Sequence, residues 1–305
     1  MDNEINATYV TLDGHVEVHK YGCVYFVIMF TVYILILCSN STVVCLIWIH
    51  KNLHEPMYIF IAALLLNSVL FSTAVYPKLL IDLLSEKQII SYSACLFQWF
   101  LYYSLAASEF LLLSGMAYDR YVSICKPLQY PTIMRKTTIS MFLTLAWLLP
   151  ACQVAVAVSL SANRQLCNFI LKGIVCNNAV YQLHCVTSKV MTIYGMVALL
   201  NAVLLPVLFI LFTYTKIFII SYRSSREVRK KAAQTCLPHL MVLINFSCLT
   251  TYDVLLVRLE TNFSKTVRLI MTLQILIYHP LFNPIIYGLK MKDIYRHLKR
   301  LFSQN

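Results

Sequence analysis

The sequence predicts an all-α membrane protein, a seven-transmembrane helix bundle with a short amphipathic C-terminal helix. Three observations carry this. Hydrophobic residues make up 59% of the chain and charged residues 12%, with a mean hydropathy of +0.70, which is too apolar for a soluble domain. Seven stretches, at 24–49, 57–77, 94–118, 137–162, 190–215, 236–257 and 269–289, reach the roughly 20 apolar residues that cross a bilayer. Within them Glu109 and Asp253 are the only carboxylates, and there is no Lys or Arg. Each span must be a helix, because lipid cannot satisfy unpaired backbone groups.

Residues 1–23 read as an extracellular N-terminus, 24–289 as the transmembrane domain and 290–305 as a cytoplasmic amphipathic helix and tail. Asp2, Glu4, Asp13 and Glu17 replace the basic start of a cleavable signal, so the first span is expected to act as its own insertion signal. Orientation follows from the basic residues. With the N-terminus outside, the inner side receives 16 of the 25 Lys and Arg and four acids, so the whole +12 formal charge lies there. The basic balance therefore reports topology, and nucleic acid is not an expected partner. Asn6 then lies outside in a glycosylation sequon; Asn262 matches the same pattern.

The first span carries Asn40 and the second Asn67 and Ser68, polar groups near the midplane. The third begins at Cys95 and carries Tyr102, Tyr103, Ala106 and Glu109 before ending in Asp119-Arg120-Tyr121. At 100° and 1.5 Å per residue, Glu109 and Arg120 lie within about 20° of each other and about 16 Å apart, with Tyr102 on the same stripe. A carboxylate at membrane depth marks function unless it is protonated and hydrogen-bonded to a neighbouring helix. The fourth span contains Trp147. The loop 163–189 holds Cys167, Cys176 and Cys185, which with Cys95 make four oxidisable thiols on the outer side; their spacing leaves three pairings open.

The fifth span carries Pro206 and Tyr214, and a basic loop, 221–235, precedes the sixth, with His239, Thr250, Thr251, Asp253 and Val254. Asp253 is expected to snorkel or to pair with Arg258. The seventh holds Leu273, Leu276, His279, Pro280 and Asn283-Pro284-x-x-Tyr287. Its prolines should kink the helix beside polar groups. His239 and His279 read as bundle-packing residues, since neither has a second ligand at metal spacing. Segment 290–302 alternates basic and apolar residues at helical spacing, as an interfacial helix on the inner leaflet does.

Asp119-Arg120-Tyr121, Trp147, Pro206, Tyr214 and Asn283-Pro284-x-x-Tyr287 together resemble the rhodopsin-like G-protein-coupled receptors. PMYIFIA (56–62), MAYDRYVSICKPLQY (116–130), KAAQTCLPHL (231–240), NPIIYGLK (283–290) and the three-cysteine loop resemble the odorant receptor branch, and NSVLFSTAVYPKLL (67–80) its teleost fish members. The resemblance implies a multi-pass plasma-membrane receptor, not an enzyme and without a cofactor or metal. A small-molecule odorant would bind among the outer halves of spans three, five, six and seven, against Tyr102, Tyr103, Ala106, Thr250, Thr251, Val254, Leu273 and Leu276. A heterotrimeric, stimulatory olfactory G protein would read a switch made of Asp119, Arg120, Tyr121, Tyr214, Asn283, Pro284 and Tyr287, raising cyclic AMP. The resemblance also implies the pairs Cys95–Cys176 and Cys167–Cys185. Membrane lipid is a partner, and a receptor oligomer is left open. Most rhodopsin-like receptors place a sodium-binding aspartate where Ser68 stands here, so sodium control is expected to be weak.

Rival classes fit less well. A transporter would show broken helices or more intramembrane charge. A metalloprotease needs a second His after His54-Glu55, and an opsin needs a lysine in the seventh span; both are absent. A receptor for a peptide or a non-odorant metabolite is the alternative within the same fold.

Overall fold

The computed structural model describes residues 8–186, 189–224, 226–258 and 264–303, with the side chains of 251–258 among those left undescribed. Asn6, Asn262 and the side chains of Thr251, Asp253 and Val254 therefore lie outside the described residues. Eight helices follow the expected order: α1 (Val18–Ile49), α2 (Pro56–Leu84), α3 (Tyr92–Cys125), α4 (Lys136–Ala162), α5 (Lys189–Tyr222), α6 (Arg226–Arg258), α7 (Lys265–Lys290) and α8 (Lys292–Ser303). Six of them are long and apolar enough to cross a membrane, and the described apolar stretch of α6 is Cys236–Thr250.

The helices exceed the apolar stretches because backbone hydrogen bonding continues past the hydrophobic limits. In particular α1 starts at Val18, ahead of the apolar stretch that begins at residue 24. The N-terminal segment is also more structured than a free tail. Strand β1 (Tyr9–Leu12) pairs antiparallel with β2 (Ile89–Ser91) and parallel with β3 (Ile170–Leu171), in the order β2-β1-β3. This small sheet roofs the end that charge asymmetry assigns to the outside. Gly14 and Gly173 approach so closely that a Cβ at Gly14 would overlap the Gly173 backbone. Asp13 accepts from Lys265 Nζ at 2.7 Å, tying the sheet to the start of α7.

Disulfides join Cys95 to Cys176 and Cys167 to Cys185, one arrangement of the three left open by spacing. The first pins the β3 loop to the top of α3. Trp99 reinforces that contact, donating Nε1–H to Asn178 at 3.2 Å.

Helix α3 is the centre of the bundle: 72% of its apolar window is buried, against 11% of that of α4 and of α5. The exposed faces of α1, α4 and α5 carry apolar side chains such as Val27, Leu148 and Phe212, as a lipid-facing surface requires. Pro206 does not break α5. A π turn at Leu200–Leu204 precedes it, and Leu205 N–H reaches back to Leu200 O, so the widened turn absorbs the missing proline donor. At the inner end α8 docks through Ile294, which is fully buried, while Tyr58 of α2 donates to Asp293 at 2.9 Å.

Candidate functional site

Three features lie in sequence down α3. The outermost is a cavity of about 610 Å³ bordered by Trp99, Tyr103, Ala106, Ala107 and Phe110 of α3. Gln153, Val154 and Ala157 of α4 close one side, and Asn178, Tyr181, Gln182 and His184 of the outer loop form the roof. Helix α5 supplies Met191, Thr192, Gly195, Ala198 and the π-turn residues Ala202 and Val203. From α6 comes Thr250. Among the described lining residues none is Asp, Glu, Lys or Arg, and this part of the wall suits a neutral molecule held by shape and a few hydrogen bonds. Small residues at 195, 198 and 202 recur on one face of α5 and leave the volume open.

His184, outside the spans, accepts from or donates to Tyr92 Oη at 3.1 Å. Burial and the nearby Arg164 push its pKa down from the ordinary value. The ring is thus held neutral at the edge of the cavity.

Below the cavity lies a buried polar core around Glu109, which is 0% exposed. Asn67 donates Nδ2–H to Oε2 at 2.9 Å, and Asn283 donates to Oε1 at 3.0 Å. His279 Nε2 stands 3.2 Å from Oε1. Asn67 is itself oriented by Trp147, whose Nε1–H donates to its Oδ1 at 3.2 Å. Asn283 also reaches Ser68 Oγ at 3.0 Å, and Asn40 bridges to the carbonyl of Pro280 at 2.9 Å. That carbonyl is available near a helix proline, where the regular ladder is interrupted. One cluster therefore joins α1, α2, α3, α4 and α7.

Cavity and core touch through two rings. Phe110 borders the cavity and packs on Phe246 of α6 with centroids 4.7 Å apart; Phe246 in turn lies over His279 at 4.2 Å. Thr250 sits one helical turn from Phe246, on the same face.

At the inner end Arg120 folds back on its neighbour, donating Nε–H to Asp119 Oδ2 at 2.9 Å with a second contact from Nη2. Tyr130, in the helical turn after α3, donates to Asp119 Oδ1 at 2.8 Å. Asp119 is fully buried and Arg120 only 8% exposed. Burial and Asp119 together push the Tyr130 hydroxyl pKa up, which keeps it a donor. Tyr214 and Tyr287 flank this region, buried, and their hydroxyls have no hydrogen-bond partner among the described residues.

Comparison with known proteins gives the same architecture a family. The family model described as olfactory receptor matches residues 29–305. The chain belongs to the olfactory receptor family. It is 32% identical over 304 residues to human olfactory receptor 13C2, covering 96% of this chain and 93% of that one. Human olfactory receptor 2K2 is 31% identical, with 96% and 93% covered, and human olfactory receptor 11A1 is 30% identical, with 98% and 95% covered. These relatives are human; the likeness to teleost members rests on segment 67–80 alone.

In this olfactory receptor the residues expected at the ligand site divide. Tyr103, Ala106 and Thr250 border the cavity. Tyr102, Leu273 and Leu276 are not among the residues that border it. Tyr102 is 3% exposed and packs on Phe71 of α2 at 5.1 Å, while Leu276 is fully buried in the same α2–α7 core that Leu273 flanks. The reason is rotation: Tyr102 shares the stripe of Glu109, which faces α2 and α7, and Tyr103 lies 100° round the helix. Among the described residues the cavity consequently lies among α3, α4, α5 and the roof, with Thr250 from α6 and no lining residue from α7. Sequence reasoning missed Gln153, Gln182, His184 and the α5 wall; the small-residue repeat at 195, 198 and 202 was the available signal. It also missed the contact of His279 with Glu109, although His279 lies one turn before Asn283. Among the described residues no group of three or more His, Cys, Asp or Glu is arranged to hold a metal ion.

Proposed function

We propose that this olfactory receptor binds a small, neutral odorant in the α3–α4–α5 cavity and passes the event to a stimulatory olfactory G protein that raises cyclic AMP. The observation that carries the reading is the unbroken contact from cavity to polar core through Phe110, Phe246 and His279. A ligand that displaces Phe110 or Thr250 has a differential interaction with two positions of α6, which is what shifting a two-state bundle requires. The inner ends then part, and Arg120, released from Asp119, becomes available to the G protein. Asn283, Pro284, Tyr287, Tyr121 and Tyr214 are the proposed remainder of that switch.

On this reading the receptor lies in the plasma membrane with the N-terminus and the β1 sheet outside and Asn6 glycosylated there. Residues 1–23 form the outer segment and 290–305 the inner helix and tail. The basic α8 rests on the inner leaflet. Among the described residues no charged group lines the cavity, which supports neutral ligands over amines and carboxylates.

The deciding experiment is a cyclic AMP screen in cells against volatile odorants, amino acids, bile salts and nucleotides. Volatile agonists acting on the wild type and lost in Ala106→Phe at equal surface level are expected. Activation by a charged metabolite that Ala106→Phe leaves untouched would place recognition elsewhere and favour the metabolite-receptor alternative.

A further inference from the structure

Glu109 is the one carboxylate of α3 at membrane depth, and its surroundings are unusual in sign. Both oxygens face donors: Asn67 Nδ2 at 2.9 Å, Asn283 Nδ2 at 3.0 Å and His279 Nε2 at 3.2 Å. Glu109 is 0% exposed and His279 3%. Around the imidazole, α6 presents the Phe246 ring at 4.2 Å and α2 the Phe71 ring at 6.5 Å. On its own helix the nearest titratable group toward the inner end is Tyr287, which is fully buried. Among these described contacts His279 is the single group that can balance the carboxylate.

Electroneutrality then selects a state. With both groups deprotonated the core holds an unpaired negative charge, and with both protonated an unpaired positive one; each is costly in a dry interior. One proton between them leaves the pair neutral, whether it is written as carboxylate with imidazolium or as acid with imidazole. We propose that Glu109 and His279 hold one proton between them, so that His279 is the built-in counter-charge of the polar core and no cation from outside is needed. His279 is thereby a positioning residue: it joins α7 to α3 and presents its face to Phe246 of α6. The inference rests on the buried pair and not on the ligand reading, and its test needs no agonist.

The test measures thermal inactivation of the purified receptor in lipid nanodiscs, in sodium chloride and in N-methyl-D-glucamine chloride at one ionic strength. The wild-type rate should differ by less than about twofold between the two salts, since only screening is common to them. His279→Asn keeps a donor but strips the counter-charge, and should inactivate at least about tenfold faster, because breaking one side of a buried pair strands the other. Glu109→Gln/His279→Asn removes both charges together and should recover most of that loss. Wild-type inactivation slowed about tenfold by sodium overturns the proposal. So does equal loss in the single and double variants, whether read as inactivation rate or as failure to reach the membrane. Recovery in the double variant where the single one fails to accumulate supports it.

Discussion

Tyr130→Phe isolates the inner-face lock in one atom. The Tyr130 hydroxyl donates at 2.8 Å to Oδ1 of Asp119, a carboxylate with no solvent exposure, while Oδ2 is engaged by Arg120. Deleting the hydroxyl leaves the ring packing in place and removes one hydrogen bond to a charged acceptor, worth about 1.5–3 kcal/mol. Partial rehydration at the membrane surface reduces this to about 1–2 kcal/mol. If, as proposed, activation releases Arg120 from Asp119 and the Tyr130 bond with it, the loss falls on the resting state and shifts the two-state balance about 5–30-fold toward the active one. A resting receptor with about 0.1% active molecules would rise to roughly 0.5–3%. The assay is ligand-free nucleotide exchange on G protein in membranes, normalised to surface receptor. We expect a several-fold higher basal rate, exceeded by Asp119→Asn, and no gain in the Arg120→Ala background. Basal rates equal to wild type in both Tyr130→Phe and Asp119→Asn, at matched surface levels, would refute the reasoning.

Other expectations follow from the same geometry. Tyr103→Ala should reduce agonist potency about tenfold or more, since a lost aromatic contact costs about 1–3 kcal/mol; Tyr102→Ala should instead lower thermal stability, by about 3–5 kcal/mol for a buried aromatic, with dose–response curves and melting curves separating the two. Cys176→Ser opens a closure spanning 81 residues and should cost about 4–5 kcal/mol, whereas Cys23→Ser, at an exposed free thiol, should leave surface export unchanged in flow cytometry. Burial pushes the His15 pKa down to about 4, with Lys78 and Lys265 opposing its charge and Asp13 favouring it. The unfolded outer segment therefore takes up the proton first as pH falls below 6.5, so stability is full above that value and declines toward pH 4. Hydrogen exchange at Tyr9–Leu12 should accelerate over that window in the wild type and not in His15→Phe.

Hydropathy alone determined that the chain is a bundle of membrane helices, because the bilayer leaves a 20-residue apolar segment no other structure. Motif spacing located the inner pair Asp119–Arg120 and the polar positions Asn40, Asn67, Ser68, Glu109 and Asn283, since period 3.6 fixes which residues of one helix share a face. The partners across helices were not legible in the same way. Glu109 meets His279 from a helix 170 residues away in sequence, and Tyr130 meets Asp119 because the chain reverses in a turn after α3. The cavity depended on the rotation of α3 to within one residue: 100° separates Tyr103, which borders it, from Tyr102, which packs into the α2–α7 core. In an apolar span both faces look alike to hydropathy. Packing against α2, α4, α5 and α7 chose between them: the rotation adopted buries Glu109 among donors and sets Ala106 on the cavity that the small residues of α5 also border.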